Sequence, residues 1–376
     1  MKEGNNMRKL ASVQKIIKLE PIPNADKIMK ATVLGWELVV KKDEFKVGDL
    51  CVYIEIDSLL PTDNPAFEFM AEKKYRVKTI KLRGQISQGL ALPISILPQG
   101  NWKEDDDVTE TLKITKYDVQ AQQEKQLQKQ IQEKNWFDKK FGQYKWYRKL
   151  FMKNRIGKDK YKFPSFIKKT DETRLQNMPS ILEKEKDTSF IITEKLDGCS
   201  STFFLQRNNH RDWLDKLLRR NKYIFGVCSR NLWLYNKDNS YYWTIAKQLD
   251  IENVLKQLIG DKDLIVLQGE ILGEGIQGNK YKINGYDFYA FNLIYNETEQ
   301  IDSISARDIL KEYNIKFVPI LKEDFKLLDT VPKMVEYATG KSKLININKE
   351  GIVIRNNDKH ISFKVINPKF LLKNNE

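Results

Sequence analysis

Along the first hundred residues the hydrophobic positions fall in short runs broken by turn-forming residues, which is the pattern of a β-rich module. Ala31–Val40 has the β-branched and aromatic content of strands and is interrupted by Gly35. Gly48-Asp49 is a turn signal, and Leu50–Ile56 follows it as another strand. Tyr75–Arg83, ending at Gly84, is a third. Strands at this spacing predict a small barrel or sandwich. A period of two along the third strand sets Arg76 and Lys78 on one face and Lys81 and Arg83 on the other, so one basic pair should face outward on the barrel wall.

Beyond this module the pattern changes twice. Gln120–Lys134 is rich in Gln, Lys and Glu, lacks Gly and Pro, and reads as a helical connector. Phe163-Pro164-Ser165-Phe166 marks a break, after which strands dominate again: Ser189–Thr193, Ser200–Gln206, Leu264–Leu267, Tyr286–Ile294, Gly351–Ile354 and Ile361–Val365. Helical stretches fall at Ile245–Leu258 and Ala306–Tyr313. This mixture predicts an α+β fold with a largely antiparallel sheet, without βαβ alternation. Arg207–Tyr223, basic and carrying Trp213, reads as an insertion between two strands.

Composition narrows the function classes. A length of 376 residues suggests two or three domains. No run of 18 apolar residues occurs, so no membrane-spanning helix is expected. Met1–Leu10 has no apolar core of a secretory signal, and three scattered cysteines (Cys51, Cys199, Cys228) give neither a disulfide framework nor zinc spacing. An intracellular chain, cytoplasmic or nuclear, is expected. The charge balance is 65 − 51 = +14, and Ala121–Thr170 alone holds 15 Lys or Arg against four acids, 15 − 4 = +11. Aromatic residues, among them Trp136, Tyr144, Trp146 and Tyr147, are interleaved through that stretch. Cations that neutralise phosphates beside rings that stack suit a polyanion; the plain alternative is an amphipathic helix with its aromatics in a core.

Several familiar chemistries are excluded. Two histidines, His210 and His360, leave no basis for a His triad or a His-rich metal site. There is no P-loop, and Gly269–Gly278 follows a strand without matching G-x-G-x-x-G. What remains is Lys195, delivered by the apolar run Ile191–Thr193 to a turn closed by Gly198, with Glu194 and Asp197 beside it. A nucleophilic lysine must lose its proton, yet Asp197 favours the ammonium, so a metal or another cation would have to compensate. Alone, K-x-D-G is a short pattern that also fits a surface lysine in an Asp-Gly turn.

Taken in order with later segments, it resembles the lysine-dependent nucleotidyltransferase superfamily of polynucleotide ligases and mRNA capping enzymes. Glu194–Gly198 is similar to motif I, Ser229–Asn231 to motif Ia and Gly269–Gly273 to motif III. Asp287–Phe291 resembles motif IIIa, Lys349–Val353 motif IV and Ser362–Lys364 motif V. A closer resemblance is to RNA ligases with an OB-type module ahead of the ligase domain, carried by Gly35–Glu37, Phe45–Asp49, Ile54–Ser58 and the upstream segment Lys169–Asn177. Capping enzymes carry their OB domain after motif V, where only a short tail follows Lys364.

The resemblance implies an N-terminal OB-type β-barrel at 1–118 and an antiparallel-sheet, ATP-grasp-like adenylyltransferase domain at 163–376; the stretch between them, 119–162, is a basic linker by composition and is not covered by the resemblance. The resemblance also implies ATP, Mg²⁺ or Mn²⁺, and sealing of 3′-OH/5′-phosphate breaks, chiefly nicks in duplex RNA or an RNA-containing duplex, through a lysyl-AMP and an RNA-adenylate. No coiled-coil seam argues for a dimer, so a monomer is expected. Lys195 would be the nucleophile; Asp197 and Glu350 would position the metal through water, and Lys364 would meet the α-phosphate. Thr193, Glu194, Arg230 and Glu270 would bind the nucleotide, Phe291 would stack on adenine, and Arg174 would reach the RNA end or the AMP phosphate. The plain alternatives are turn carboxylates for Glu270 and Glu350, core packing for Phe291 and a surface role for Arg230. One position departs from the pattern: where many relatives carry a second motif V lysine, this chain has Ile366, with Lys369 and Lys373 as substitutes further on. The competing functions are a DNA ligase, a capping-type guanylyltransferase, and an idle RNA-binding protein on a ligase scaffold.

Overall fold

The computed structural model describes residues 8–117, 162–208, 222–234 and 240–374. The basic-aromatic stretch up to residue 161, the connector helix expected within it and most of the insertion after Arg207 therefore lie outside the described residues. No helix among the described residues is long and apolar enough to cross a membrane.

In the N-terminal module, β1 (Ala11–Ile22) is long enough to serve two partners. Its first half pairs antiparallel with β4 (Leu50–Ile54) and its second half with β2 (Ala25–Val33), which pairs on with β3 (Trp36–Lys41). Further along come β5 (Ser58–Leu59), β6 (Thr79–Leu82), β7 (Gln85–Gln88), β8 (Leu90–Pro93) and β9 (Thr115–Lys116). The main sheet runs β3-β2-β1-β4-β8 and curls until β3 meets β7 and β8, where the Val39 N–H donates to Ser87 Oγ at 3.0 Å. Curling closes the barrel over Val13, Leu38, Val52 and Trp36, all fully buried. The expected break at Gly35 is real.

The strand expected at Tyr75–Arg83 is shorter, because Lys74 and Tyr75 both take left-handed φ values of 52° and 57° at the end of a 3-10 stretch over Pro65–Lys73. Pairing with β7 then begins only at Thr79. Arg76 is consequently not on a barrel wall: its guanidinium lies 3.7 Å above the Tyr117 ring. Lys81 and Arg83 are the outward, exposed pair.

Two facing sheets form the second part of the molecule. One runs β10-β20-β19-β11-β18: β10 (Thr173–Arg174), β11 (Phe190–Lys195), β18 (Ile320–Phe325), β19 (Gly351–Asn356) and β20 (Ile361–Ile366). The other runs β13-β12-β14-β15-β16, from β12 (Cys199–Arg207), β13 (Tyr223–Cys228), β14 (Leu264–Gly273), β15 (Tyr286–Tyr295) and β16 (Glu299–Gln300), with β17 (Lys316–Phe317) parallel to β15. Pairing is antiparallel except at β10–β20 and β15–β17. Strand β14 continues into the glycine-rich run, so Gly269 and Gly273 belong to a strand.

Among the described residues the helices are α1 (Ile181–Lys184), α2 (Tyr241–Gln248), α3 (Ile251–Leu258), α4 (Ser303–Lys311), α5 (Val331–Ala338) and α6 (Pro368–Asn374). The single helix expected at Ile245–Leu258 is two, broken where Asp250 takes a φ of 47°. The break lets Tyr242 and Ile245 of α2 and Ile251 and Leu255 of α3 reach the same core from different angles. The two parts of the molecule share a seam: Ile366, Phe370 and Leu371 from the end of β20 and from α6 are packed into the hydrophobic core of the N-terminal module.

Candidate functional site

Lys195 ends β11, where Gly351 is its partner across the sheet. A Cβ on Gly351 would lie 2.3 Å from Val365 O, so only glycine lets β19 run that close to β20 beside the lysine. Gly198 closes the following turn for a similar reason: an added Cβ would sit 2.4 Å from Ile271 O, and its N–H donates to Glu270 Oε1 at 3.1 Å. Backbone approach, not a positive φ, is what these two positions require.

Around Lys195 the structure gathers a cleft of about 350 Å³ lined by Thr193, Glu194, Asp197, Arg174, Arg230, Glu270, Phe291, Glu350 and Lys364. Every sequence-derived site residue is therefore in one place. Lys195 Nζ lies 2.7 Å from Glu350 Oε2, and Lys280 Nζ lies 2.6 Å from Asp197 Oδ2. Burial alone would lower the Lys195 pKa, but Glu350, Glu270 and Asp197 outweigh it and hold the ammonium above the ordinary lysine range. Burial pushes the Glu270 carboxyl up to about 8, opposed by Lys195 and reinforced by Glu350 and Asp197. Burial likewise pulls Lys364 down to about 7, against Asp171 and with help from Arg174 and Lys195. Glu194 is buried, accepts from the Lys343 N–H at 2.8 Å through Oε2, and its pKa is raised by burial.

An all-carboxylate donor set suits a hard divalent cation such as Mg²⁺ or Mn²⁺. No three such groups among the described residues converge closely enough to ligate an ion directly, so the fit is for an ion met through its water shell.

The second sheet supplies the opposite wall. Phe291 is half-buried on β15, and Arg355 of β19 fixes its backbone by donating to Phe291 O at 2.8 Å and to Asn292 Oδ1 at 2.7 Å. Arg355 also meets Glu172 at 3.0 Å, tying the two sheets to the upstream segment. The Ile366 position is settled as apolar: it is 3% exposed, lines the cleft and packs into the N-terminal module. Neither Lys369 nor Lys373 is among the residues lining the cleft.

Sequence reasoning missed a third wall. Arg8, Asp57, Arg76, Lys116 and Tyr117 of the N-terminal module line the same cleft. Asp57 Oδ2 is 2.7 Å from Arg174 Nη2, while Arg174 Nε and Nη1 are buried with no hydrogen-bond partner. Trp36 Nε1 donates to Asn177 at 2.6 Å, and Asn177 donates to Glu55 at 2.6 Å. Asp171, also missed, meets Lys116 at 3.2 Å, Arg230 at 2.9 Å and Lys364 at 3.3 Å. Burial opposes its charge, but these three cations hold the carboxyl well below its usual range. Cations from three separate elements thus converge on one small anionic group, a phosphate-binding type of arrangement. The only available signal was the residue-type pattern of Lys169–Asn177, which does not say which groups of the other module it meets.

Fold and site together define a ligase-type domain preceded by an OB module. Comparison with protein families bears this out: an OB-fold domain family matches residues 10–94 and the RNA ligase family matches residues 188–367. A Naegleria gruberi RNA ligase solved without ligand is 31% identical with a TM-score of 0.76, covering 97% of this chain and 98% of that one. The same ligase solved with ATP and Mn is 32% identical with a TM-score of 0.76, covering 96% and 98%. Solved with AMP and Mn it is again 32% identical at a TM-score of 0.76, covering 97% and 98%. No curated protein sequence matches the chain. This protein belongs to the RNA ligase family and is an enzyme of that class.

Proposed function

We propose that the protein is an ATP-dependent RNA ligase that seals breaks carrying a 3′-OH and a 5′-phosphate in duplex RNA, holding AMP on Lys195 between substrates. The observation that carries the reading is Lys195 Nζ at 2.7 Å from Glu350 in a cleft shared with Glu270, Arg230, Lys364 and Phe291. The relatives solved with ATP and with AMP, each with Mn, support the same nucleotide and metal here.

In this mechanism Lys195 Nζ attacks the α-phosphorus, forming an N–P bond as the P–O bond to pyrophosphate breaks. In the resting site Glu350, Glu270 and Asp197 favour the ammonium; Nζ gives up a proton before it attacks, and Glu350 Oε2, 2.7 Å away, is the carboxylate placed to take it. When bound through water at Glu350 and Asp197, Mg²⁺ or Mn²⁺ supplies positive charge that favours neutral Nζ and offsets charge developing on the phosphate. Lys364 and Arg230, which both pair with Asp171, meet the phosphate, Phe291 offers its ring to adenine, and Thr193 and Glu194 line the same cleft. AMP then passes to the RNA 5′-phosphate, near Arg174, and the 3′-OH displaces it. A carrier lysine separates the two substrates in time, which is the use of covalent catalysis here.

Incubation with α-labelled ATP and a divalent metal should label the wild-type protein and not Lys195→Ala on a denaturing gel. Chasing the label should join nicked duplex RNA in preference to nicked duplex DNA. Label from GTP alone would support a guanylyltransferase. A folded, RNA-binding protein that takes no label would overturn this reading and make it an idle binding protein.

A further inference from the structure

A second concavity, of about 420 Å³, opens on the N-terminal module beside the 3-10 stretch and β6. Its floor is apolar, with Met70, Val77, Ile80 and Leu90, and at Gly89 it is bare backbone. A Cβ on Gly89 would lie 2.6 Å from the Tyr53 ring and 2.7 Å from Ile54 O. Its rim is cationic: Lys73, Lys74, Arg76 and Lys78 against a single acid, Glu72. Exposed Lys81 and Arg83 extend that charge along the β6–β7 hairpin, and α6, which packs against β6, adds exposed Lys369 and Lys373.

Arg76 lines both concavities, so this one adjoins the cleft that holds Lys195. Its guanidinium is fixed over the Tyr117 ring while Nε is buried with no hydrogen-bond partner. The cations also disfavour one another: burial, then Arg76 and Lys74, lowers the Lys78 pKa. An apolar floor under a cationic rim is matched by a nucleotide, which has an apolar face and an anionic edge.

Resting on the RNA ligase reading above, we infer that this concavity docks the RNA strand flanking the break. One nucleobase lies on the Met70–Ile80–Leu90 floor, the neighbouring phosphates meet Lys73, Lys74 and Lys78, and the strand enters the nucleotide cleft past Arg76. Charge complementarity and the shared Arg76 wall favour RNA over a peptide, whose backbone would bring no charge to this rim.

The test is Lys74→Gln/Lys78→Gln, two residues outside the nucleotide cleft. Lysine adenylation from ATP, which needs no RNA, should stay at the wild-type rate and reports that the variant is folded. Affinity for a nicked RNA duplex should fall on the order of tenfold, and the slope of log affinity on log salt should fall by about 2. Unchanged affinity and slope would overturn the inference. So would slowed adenylation with unchanged RNA binding, which would make the concavity an extension of the nucleotide cleft. For the base, 4-thiouridine placed at successive positions flanking the break should crosslink within residues 70–90, and crosslinks confined to other segments would overturn that half. Binding is read directly, so a wild-type protein that binds but never seals RNA refutes the ligase reading while this comparison still decides the docking site.

Discussion

Glu270 and Lys364 face the same cleft with pKa values displaced in opposite directions, to about 8 and about 7. For Glu270, burial favours the neutral acid, so between about pH 4.5 and 8 the native state keeps a proton the unfolded chain has lost, and stability falls as pH rises through that window. For Lys364, burial favours the neutral amine; between about pH 7 and 10.5 the unfolded chain holds the extra proton, and stability rises with pH. Thermal melts of the ligand-free protein should separate them. Glu270→Gln should flatten the decline between about pH 5 and 8, and Lys364→Met should flatten the rise above about pH 7. Profiles parallel to the wild type would show that neither group is displaced. Both variants should lose lysine adenylation, because Glu270 and Lys364 lie on the two walls of the cleft around Lys195. Their residue types were legible from motif order alone; their ionisation was not, since it depends on burial and on neighbours distant in the chain.

Among the elements, the junction between β2 and β3 shows most clearly how local and tertiary demands coincide. Gly35 reads in the sequence as a turn residue, and a turn it is. Yet the stricter constraint is the other module: its N–H donates to Gln176 O at 2.8 Å, and a Cβ would lie 2.9 Å from Gln176 Cα. That neighbour is backbone and cannot move by changing rotamer. Gly35→Ala should therefore cost about 1–3 kcal/mol, lowering the melting midpoint by about 2–10 °C. A melt within one degree of wild type would mean that the two modules can shift apart. The strands were largely visible as apolar β-branched runs, and their ends fall close to the expected turns. Strands β1, β13 and β18 and helix α5 were not among the expected elements; of those expected, two were altered, before β6, where Lys74 and Tyr75 displace Arg76 from the expected strand, and at Asp250, which splits one expected helix into two. At each place non-glycine residues adopt left-handed backbone, for which periodicity carries no signal.

For the molecule as a whole, the excess of cations is the dominant long-range feature. The formal net charge is +14, and the cleft, the rim of the second concavity and α6 each present lysine or arginine. Affinity for a nicked RNA duplex should fall at least about tenfold between 50 and 200 mM salt, the signature of several phosphate contacts. Binding that ignores salt would remove the electrostatic account. Deleting residues 120–151, which carry 8 − 3 = +5 of the +11 surplus, should weaken RNA binding and leave lysine adenylation intact. Unchanged RNA affinity would return that stretch to a packing role.

The order and spacing of the six motifs, the alternation of strands with turns, and the concentration of charge were all determined by the sequence itself, because each is a property of neighbouring residues or of their order. Only the tertiary structure decided that Arg8, Asp57, Arg76 and Lys116 share the cleft with Lys195, that Asp171 gathers three cations, and that Ile366 is drawn into the core of the other module. Those outcomes depend on how two independently patterned modules pack. A hydrogen bond or ion pair acts over a few ångströms of space whatever the separation along the chain, and no local pattern records which distant surface will arrive there.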